Sequence, residues 1–278
     1  MKVLLAGRNG QVGWELERAL EPLGEVVATD RATLDLVDAQ ALRSFINHLK
    51  PELIVNAAAY TAVDKAESEP ELAMRINGVA PGLMAEEAKH LGALLVHYST
   101  DYVFDGTKRS PYTEDDAPNP LGVYGRTKLE GDRRIQASGC RHLILRTSWV
   151  YGPRGRNFYL TIARKAAAGE QLRVVNDQHG VPTTSRFLAE NTLELLRKQA
   201  TGLLNLVPSG ETTWFEFARE IVRATGSRSE VEPIASDQFP AAARRPRYSV
   251  LDNSRAVGAL GHELPDWRGL LSAMRKSA

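Results

Sequence analysis

Apolar residues in the first half of the chain come in short continuous runs, separated by longer stretches in which they recur at helical spacing. "KVLLAG" (2–7) precedes "QVGWELERALEPLG" (11–24), which repeats apolar positions every three or four residues and closes on Pro22 and Gly24. "EVVATD" (25–30), the helical "DAQALRSFINHL" (38–49) and "ELIVNAAA" (52–59) continue the alternation. One long helix is expected over 70–92, leading into the strand "ALLVHYST" (93–100). A further helix follows Pro120, and the strand "HLILRTSWVYG" covers 142–152. Short β runs joined by helices predict right-handed crossovers and a parallel sheet covered on both faces.

After about residue 150 the rhythm loosens. The pattern predicts helix then strand over 153–175, helices at 185–199 and 212–226, and a Pro- and Ala-rich surface loop at 233–254. The expected fold is α/β: a Rossmann-like doubly wound parallel sheet with a smaller, partly interleaved C-terminal α/β substrate domain. The expected division is 1–149 for dinucleotide binding and 150–278 mainly for substrate, with elements around 178–206 returning to the first domain.

Composition narrows the function classes. The 278 residues hold 35 Lys+Arg against 34 Asp+Glu, so a net charge of +1 offers no basis for a nucleic-acid or membrane surface. No apolar run approaches the roughly 18 residues of a membrane helix, and "MKVLLAG" is too short for a secretory core. The lone Cys140 excludes an internal disulfide and fits a reducing cytoplasm.

The first strand runs into "AGRNGQVG", with Gly7, Gly10 and Gly13 at three-residue spacing before a helix. Gly7 can turn sharply, Gly10 lets backbone amides approach a pyrophosphate, and Gly13 allows close helix–strand packing. The helix N-terminus then offers free N–H groups to phosphate. Asp30, ending the second strand, stands where a carboxylate accepts hydrogen bonds from the adenosine ribose, although a solvated strand-end acid would look the same. An acid there repels the 2′-phosphate of NADPH while Arg31 attracts it, so NADH and NADPH both remain open.

Of the eight tyrosines only Tyr124 has Lys at i+4, namely Lys128 in "LGVYGRTKLEGD". Chance supplies about one such pair in four chains of this composition, so the spacing alone decides nothing. Upstream, "VHYSTDYVFDG" sets Ser99, Thr100 and Asp101 just past a strand end, where ligands of parallel sheets bind. A Thr hydroxyl, a Tyr phenol and a Lys ammonium are together what carbonyl reduction needs. Hydride adds to carbon while a proton must reach oxygen, and a nearby Lys⁺ would bring a phenol of reference pKa near 10 toward working pH.

These residues resemble the extended short-chain dehydrogenase/reductases and, more narrowly, the dTDP-4-dehydrorhamnose reductase family. The likeness runs through "GRNGQVGWEL", "VNAAAYTAVDKAESEPELA", "HYSTDYVFDG", "YGRTKLEGD", "RTSWVYG", "NDQHGVPT", "ARRP" and "LPDW". The resemblance implies Tyr124 as proton donor, Lys128 as ribose ligand and tuner, and Thr100 as a helper at the carbonyl. It implies cofactor contacts from Gly7, Gly10, Gln11, Val12, Gly13, Asp30, Arg31, Ala59 and Thr61. It implies sugar contacts from Val63, Thr100, Asp101, Tyr102 and Trp149, with Asn157 a further candidate. The implied reaction is reduction of the 4-keto group of dTDP-4-dehydro-β-L-rhamnose by NADPH or NADH.

Local chemistry leaves alternatives beside several of these roles. Arg244 and Arg245 offer guanidinium forks suited to a diphosphate, or are two solvated loop arginines. Trp149 fits the sugar pocket or core packing, and Asn157 before a helix fits an N-cap. Some members of the family are described as homodimers bridged by Mg²⁺ through glutamates, and Glu15 matches one such position. "LLSAMRKSA" (270–278) carries no acid, no His or Cys cluster has metal-ligand spacing, and no metal is expected. A 4,6-dehydratase or 4-epimerase on the same fold is the enzymatic alternative. Dehydratases typically carry Asp-Glu after the Thr, whereas Asp101 is followed here by Tyr102. Reduction of another 4-keto nucleotide sugar, or a regulatory role without redox chemistry, are the remaining alternatives.

Overall fold

The computed structural model describes residues 1–276. Strand β1 (Lys2–Ala6), helix α1 (Gln11–Ala19), β2 (Glu25–Thr29), α2 (Ala39–Leu49) and β3 (Leu53–Asn56) open the chain. They are followed by α3 (Val63–Ala66), α4 (Pro70–Met74), α5 (Ala80–Leu91), β4 (Leu94–Thr100), α6 (Val123–Ser138) and β5 (Arg141–Thr147). Next come β6 (Val150–Tyr151), α7 (Phe158–Ala167), β7 (Leu172–Val175), β8 (His179–Gly180), β9 (Thr183–Thr184), α8 (Ser185–Arg197) and β10 (Gly202–Asn205). The chain ends with β11 (Thr212–Thr213), α9 (Trp214–Thr225), β12 (Val231–Ile234), α10 (Ser254–Leu260) and α11 (Trp267–Lys276).

Six parallel strands form the central sheet in the order β10-β5-β4-β3-β1-β2. Its strands are continuous apolar runs because both faces are covered. The two-residue side-chain period divides β1 between the faces. Val3 and Leu5 pack with Leu16 and Leu20 of α1, with Phe187, Leu188 and Leu195 of α8, and with Ala256 and Leu260 of α10. Leu4 and Ala6 pack on the other side with Leu42 and Ile46 of α2, Met84 and Ala88 of α5, and Ile135 of α6. A separate core, including Phe104, Tyr151, Ile162, Phe217 and Trp267, joins α7, α9, α11 and the paired strands β7 and β12.

Two expected elements are interrupted for local reasons. The helix expected over 70–92 is α4 and α5 joined by a π turn at Arg75–Val79. Pro81 has no amide hydrogen to return to the Asn77 carbonyl, so the regular ladder cannot continue there. The strand expected over 142–152 stops at β5 because Trp149 takes a positive φ of 45° before β6 begins. Helix α10, lying within the irregular C-terminal stretch, packs on the first face of the sheet.

Candidate active site

Strand β4 delivers Thr100 to the carboxyl end of the sheet, where it is buried. Helix α6 is held against it by a backbone approach only glycine permits: a Cβ on Gly125 would lie 2.1 Å from the Tyr102 carbonyl oxygen. The first turn of α6 is capped from a distance, since Glu67 Oε1 accepts the Val123 N–H at 2.8 Å. The adjacent Tyr124 therefore sits beside Thr100, with its ring edge-to-face on Tyr102 at 5.8 Å between centroids.

Burial pushes the Tyr124 phenol up to about 12, against the opposing effect of the Thr100 hydroxyl, while Asp101 and Asp132 add to the rise. Lys128 is not among the groups that shift this phenol here. The i+4 spacing does place both residues on α6, but Lys128 Nζ turns toward β4, donating to the Tyr98 carbonyl at 2.5 Å and lying 3.0 Å from His97 Nε2. Burial lowers Lys128 to about 8, partly offset by Asp132 one turn along. Asp132 is itself buried, accepts from Ser99 Oγ at 2.7 Å, and has the Arg146 guanidinium 3.8 Å away. Asp101, next to Thr100, takes that hydroxyl on Oδ1 at 3.1 Å. Its Oδ2 has no hydrogen-bond partner among the described residues, and burial pushes its carboxyl up to about 7.

The glycine turn forms the second part of the site. Gly7 has φ +94°, and a Cβ there would lie 2.7 Å from the Ala58 backbone nitrogen. Gly10 is the N-cap of α1, and no side chain among the described residues caps the helix N-terminus. Gly13 also requires the missing Cβ, which would sit 2.0 Å from the Gly7 carbonyl oxygen. A cleft of about 330 Å³ beyond this turn is lined by Gly7, Asp30, Arg31, Ala59 and Thr61 among others. Hydrogen bonds from Thr33, Asn9 and Ala32 hold Asp30 below the usual carboxylate range, so it is ionised at neutral pH. Arg31 lies 3.6 Å from Asp35 and is 82% exposed. Uncapped N–H groups at Gln11 and Val12, a glycine cradle and an ionised strand-end acid fit a dinucleotide.

The candidate substrate residues divide. Val63, Tyr102, Tyr124 and Arg244 line one small cleft, which shares Leu121 and Arg244 with a large cleft of about 1170 Å³. Arg245 also lines the large cleft, with its guanidinium held by Asp64 at 2.7 Å. Trp149 reaches that cleft only through Trp214, against which it stacks at 3.6 Å. Asn157 has another job: its Oδ1 caps α7 at the Leu160 N–H, and its Nδ2 donates to Gln11 Oε1 at 2.7 Å and to the Gly152 carbonyl. Those contacts make it a cap of α7 and a tether to Gln11.

The family described as RmlD substrate binding domain matches residues 1–278. The chain belongs to that family. It is 44% identical over 285 residues to the dTDP-4-dehydrorhamnose reductase of Burkholderia thailandensis, covering 96% of each protein. A dTDP-4-dehydrorhamnose reductase of Bacillus anthracis, solved in complex with NADP, superposes with a TM-score of 0.95 at 33% identity, covering 100% of this chain and 99% of that one. The UDP-glucose 4-epimerase of Thermotoga maritima superposes with a TM-score of 0.87 at 18% identity over 99% of this chain and 98% of that one, a likeness of fold alone.

In this member of the RmlD family the Mg²⁺ bridge raised by the resemblance at Glu15 finds no fitting donor set among the described residues. The Glu15 carboxyl is raised by burial and faces Arg186, Arg18 and Glu190, and Glu190 accepts from Arg186 at 2.7 Å. The described residues hold no group of three or more His, Cys, Asp or Glu able to bind a metal. Ser277 and Ala278 of the closing stretch lie outside the described residues. No helix among the described residues is long and apolar enough to cross a membrane.

Sequence reasoning passed over several residues that the fold brings to the site. Trp214, Phe158 and Arg247 line the large cleft; Phe158 stood in the family-like pair Asn157–Phe158 without a role, while Trp214 and Arg247 showed only as part of an amphipathic segment and a loop arginine. His97, Asn56 and Asp132 gather around Lys128. Asn56 and His97 lay inside quoted blocks without being assigned a role, and Asp132 stood at i+4 from Lys128.

Proposed function

We propose that this protein reduces the 4-keto group of dTDP-4-dehydro-β-L-rhamnose to give dTDP-L-rhamnose, with hydride from NADPH or NADH and the proton from Tyr124. The observation that carries the reading is the meeting of the Tyr124 phenol and the Thr100 hydroxyl at the end of β4. That meeting point adjoins the cleft shared with Arg244, while the glycine turn opens a second cleft at the same edge of the sheet. The name of the Burkholderia relative supports the same substrate.

In this reading Gly7, Gly10, Gln11, Val12, Gly13 and Asp30 hold the dinucleotide, with Arg31, Ala59 and Thr61 on the wall of its cleft. A nicotinamide held there would supply the hydride for the sugar's carbonyl carbon. Thr100 and Tyr124 present two O–H groups to the ketone oxygen. A phenol held near 12 is protonated throughout the neutral range, so the donor form is the resting form. An alkoxide is a stronger base than a phenolate, so proton transfer from Tyr124 runs downhill as negative charge develops on oxygen. Val63, Asp101 and Tyr102 border the sugar, Trp149 acts through its stack on Trp214, and Arg244 and Arg245 meet the diphosphate. Residues 1–149 with the elements around 178–206 serve the cofactor, and 150–278 mainly serve the substrate. The reaction takes place in the cytoplasm.

The test is a spectrophotometric assay with purified protein and a set of dTDP-4-keto-6-deoxyhexoses. One NAD(P)H consumed per dTDP-L-rhamnose formed is the expected result. Conversion without net cofactor consumption would indicate epimerisation, and no oxidation with any of the sugars would refute the reading.

A further inference from the structure

Shortly after β12 the chain forms a strap, 236–245, along the large cleft, with Ser236, Phe239, Ala241, Ala243 and Arg245 all in the cleft's wall. Each end of the strap is tied down by an aspartate. Asp177, just past β7, accepts from the Ser236 N–H at 3.0 Å and from its Oγ at 2.5 Å. Gln178 Nε2 donates to the same Oγ at 2.8 Å. At the other end Asp64 of α3 accepts from the Ala243 N–H at 3.0 Å and from Arg245 Nη2 at 2.7 Å. The Arg245 guanidinium holds Asp64 below the usual carboxylate range, so this tie is an ion pair at neutral pH. Asp64 directly follows Val63, which anchors the strap beside the wall of the small cleft.

Between the ties residues 237–242 are all exposed, and Phe239 is the large apolar side chain among them, at 51%. The turn that presents it is fixed, since its N–H donates to the Ser236 carbonyl at 3.2 Å and Pro240 restricts the next φ. Exposure of one ring means little by itself. What sets Phe239 apart is its company in the cleft. Of the three aromatic side chains in that wall, Trp214 stacks on Trp149 and packs on Phe158, and Phe158 stacks on Phe217. Phe239 has no ring or cation partner among the described residues, and half of its surface is uncovered.

The order of groups along the cleft says what that ring meets. Tyr102 and Tyr124 line the small cleft, which shares Leu121 and Arg244 with the large one. A nucleotide sugar with its ketone at Tyr124 has its diphosphate next, at Arg244 and Arg245, and its nucleoside farther along the wall. The large cleft, about 1170 Å³, has room for that nucleoside, since roughly 300–1,000 Å³ encloses a drug-sized ligand. A nucleobase has a π face that stacks on an aromatic ring whatever its hydrogen-bonding edge.

We infer that Phe239 is the stacking platform for the thymine base of the nucleotide sugar, held in the large cleft by a strap pinned at Asp64 and Asp177. The inference rests on the dTDP-sugar reading and adds to it the subsite that the nucleoside takes. Its test uses no turnover, so it can fail or stand apart from that reading.

The test is calorimetric titration of the purified full chain with dTDP, in the unmodified protein and in Phe239→Ala, Phe239→Leu and Phe239→Tyr. Phe239 belongs to none of the apolar cores, so the variants are expected to fold. The alanine variant should bind dTDP about five- to a hundredfold more weakly, the worth of one base on one ring. Tyrosine should restore the affinity and leucine should not, while the Kd for NADPH stays constant throughout. Unchanged dTDP affinity in Phe239→Ala would overturn the inference. So would leucine matching tyrosine, which would mean an ordinary apolar contact, or a parallel loss of NADPH binding, which would mean a structural effect. The series is repeated with UDP, because stacking tolerates either base. Binding of UDP alone, weakened in Phe239→Ala, would refute the thymidine reading and keep the platform. A wild-type protein that reduces a dTDP-4-keto sugar yet binds neither nucleotide would sink the platform and keep the reading.

Discussion

Gly125 stands against the carbonyl oxygen of Tyr102 so closely that a Cβ would sit 2.1 Å from it, and 2.9 Å from Pro120 Cβ. One partner is backbone, which cannot swing aside as a flexible side chain would. In Gly125→Ala helix α6 must back away from β4, carrying the neighbouring Tyr124 from Thr100. The expected result is a loss of about 1–3 kcal/mol in stability, read by denaturant unfolding, with kcat down more than about tenfold. An alanine variant with normal kcat would show that the close approach does not position the phenol.

Asp101 gives the site a pH signature. Its carboxyl is pushed from a reference value near 3.9 up to about 7, chiefly by burial. A carboxyl raised in the folded state contributes stability that is fully present below the unfolded value. That contribution is lost as pH rises through the folded value. Asp101→Asn keeps the neutral form at every pH. Its Tm should therefore gain on that of the unmodified protein as pH rises from about 4 to about 8. A difference that stays constant across this window would mean that Asp101 titrates normally.

Trp149 and Trp214 stack at 3.6 Å with ring planes 11° apart, and Trp214 forms part of the large cleft's wall. Trp214→Ala removes both the wall and the support of Trp149. The KM for the nucleotide sugar should rise by roughly two- to tenfold, the worth of an aromatic pair, with the KM for NAD(P)H unchanged. A change confined to the cofactor would place this stack outside the substrate site.

Asp30 is ionised and buttressed by Asn9 and Thr33. Asp30→Ala should raise the NADPH/NADH ratio of kcat/KM, because the anion that repels a 2′-phosphate is removed while Arg31 remains beside the cleft. An unchanged ratio would count against the ribose role of Asp30.

The alternation of apolar runs made the parallel sheet legible, because strands covered on both faces read as continuous apolar runs, Val3–Ala6 in β1 and Leu53–Val55 in β3. Gly7 and Gly13 were legible as a turn, since a Cβ at either would collide with backbone. Tyr124 and Lys128 were visible as neighbours on α6. Where Lys128 points was not visible, because its partners Tyr98 and His97 lie 30 and 31 residues away. The same limit hid Asn56, which reaches His97 across 41 residues. Asn157 was readable as a cap but not as a tether to Gln11, 146 residues away. Trp149's positive φ broke the expected strand because tertiary stacking on Trp214 outweighed local β preference.

The most direct test of the account is Tyr124→Phe assayed with dTDP-4-dehydro-β-L-rhamnose and NADPH, alongside cofactor binding by fluorescence. Removing one oxygen leaves the ring's contact with Tyr102 available but takes away the proton. The account predicts kcat lower by about 10²–10⁴ with the cofactor Kd unchanged. Turnover close to that of the unmodified protein would contradict it.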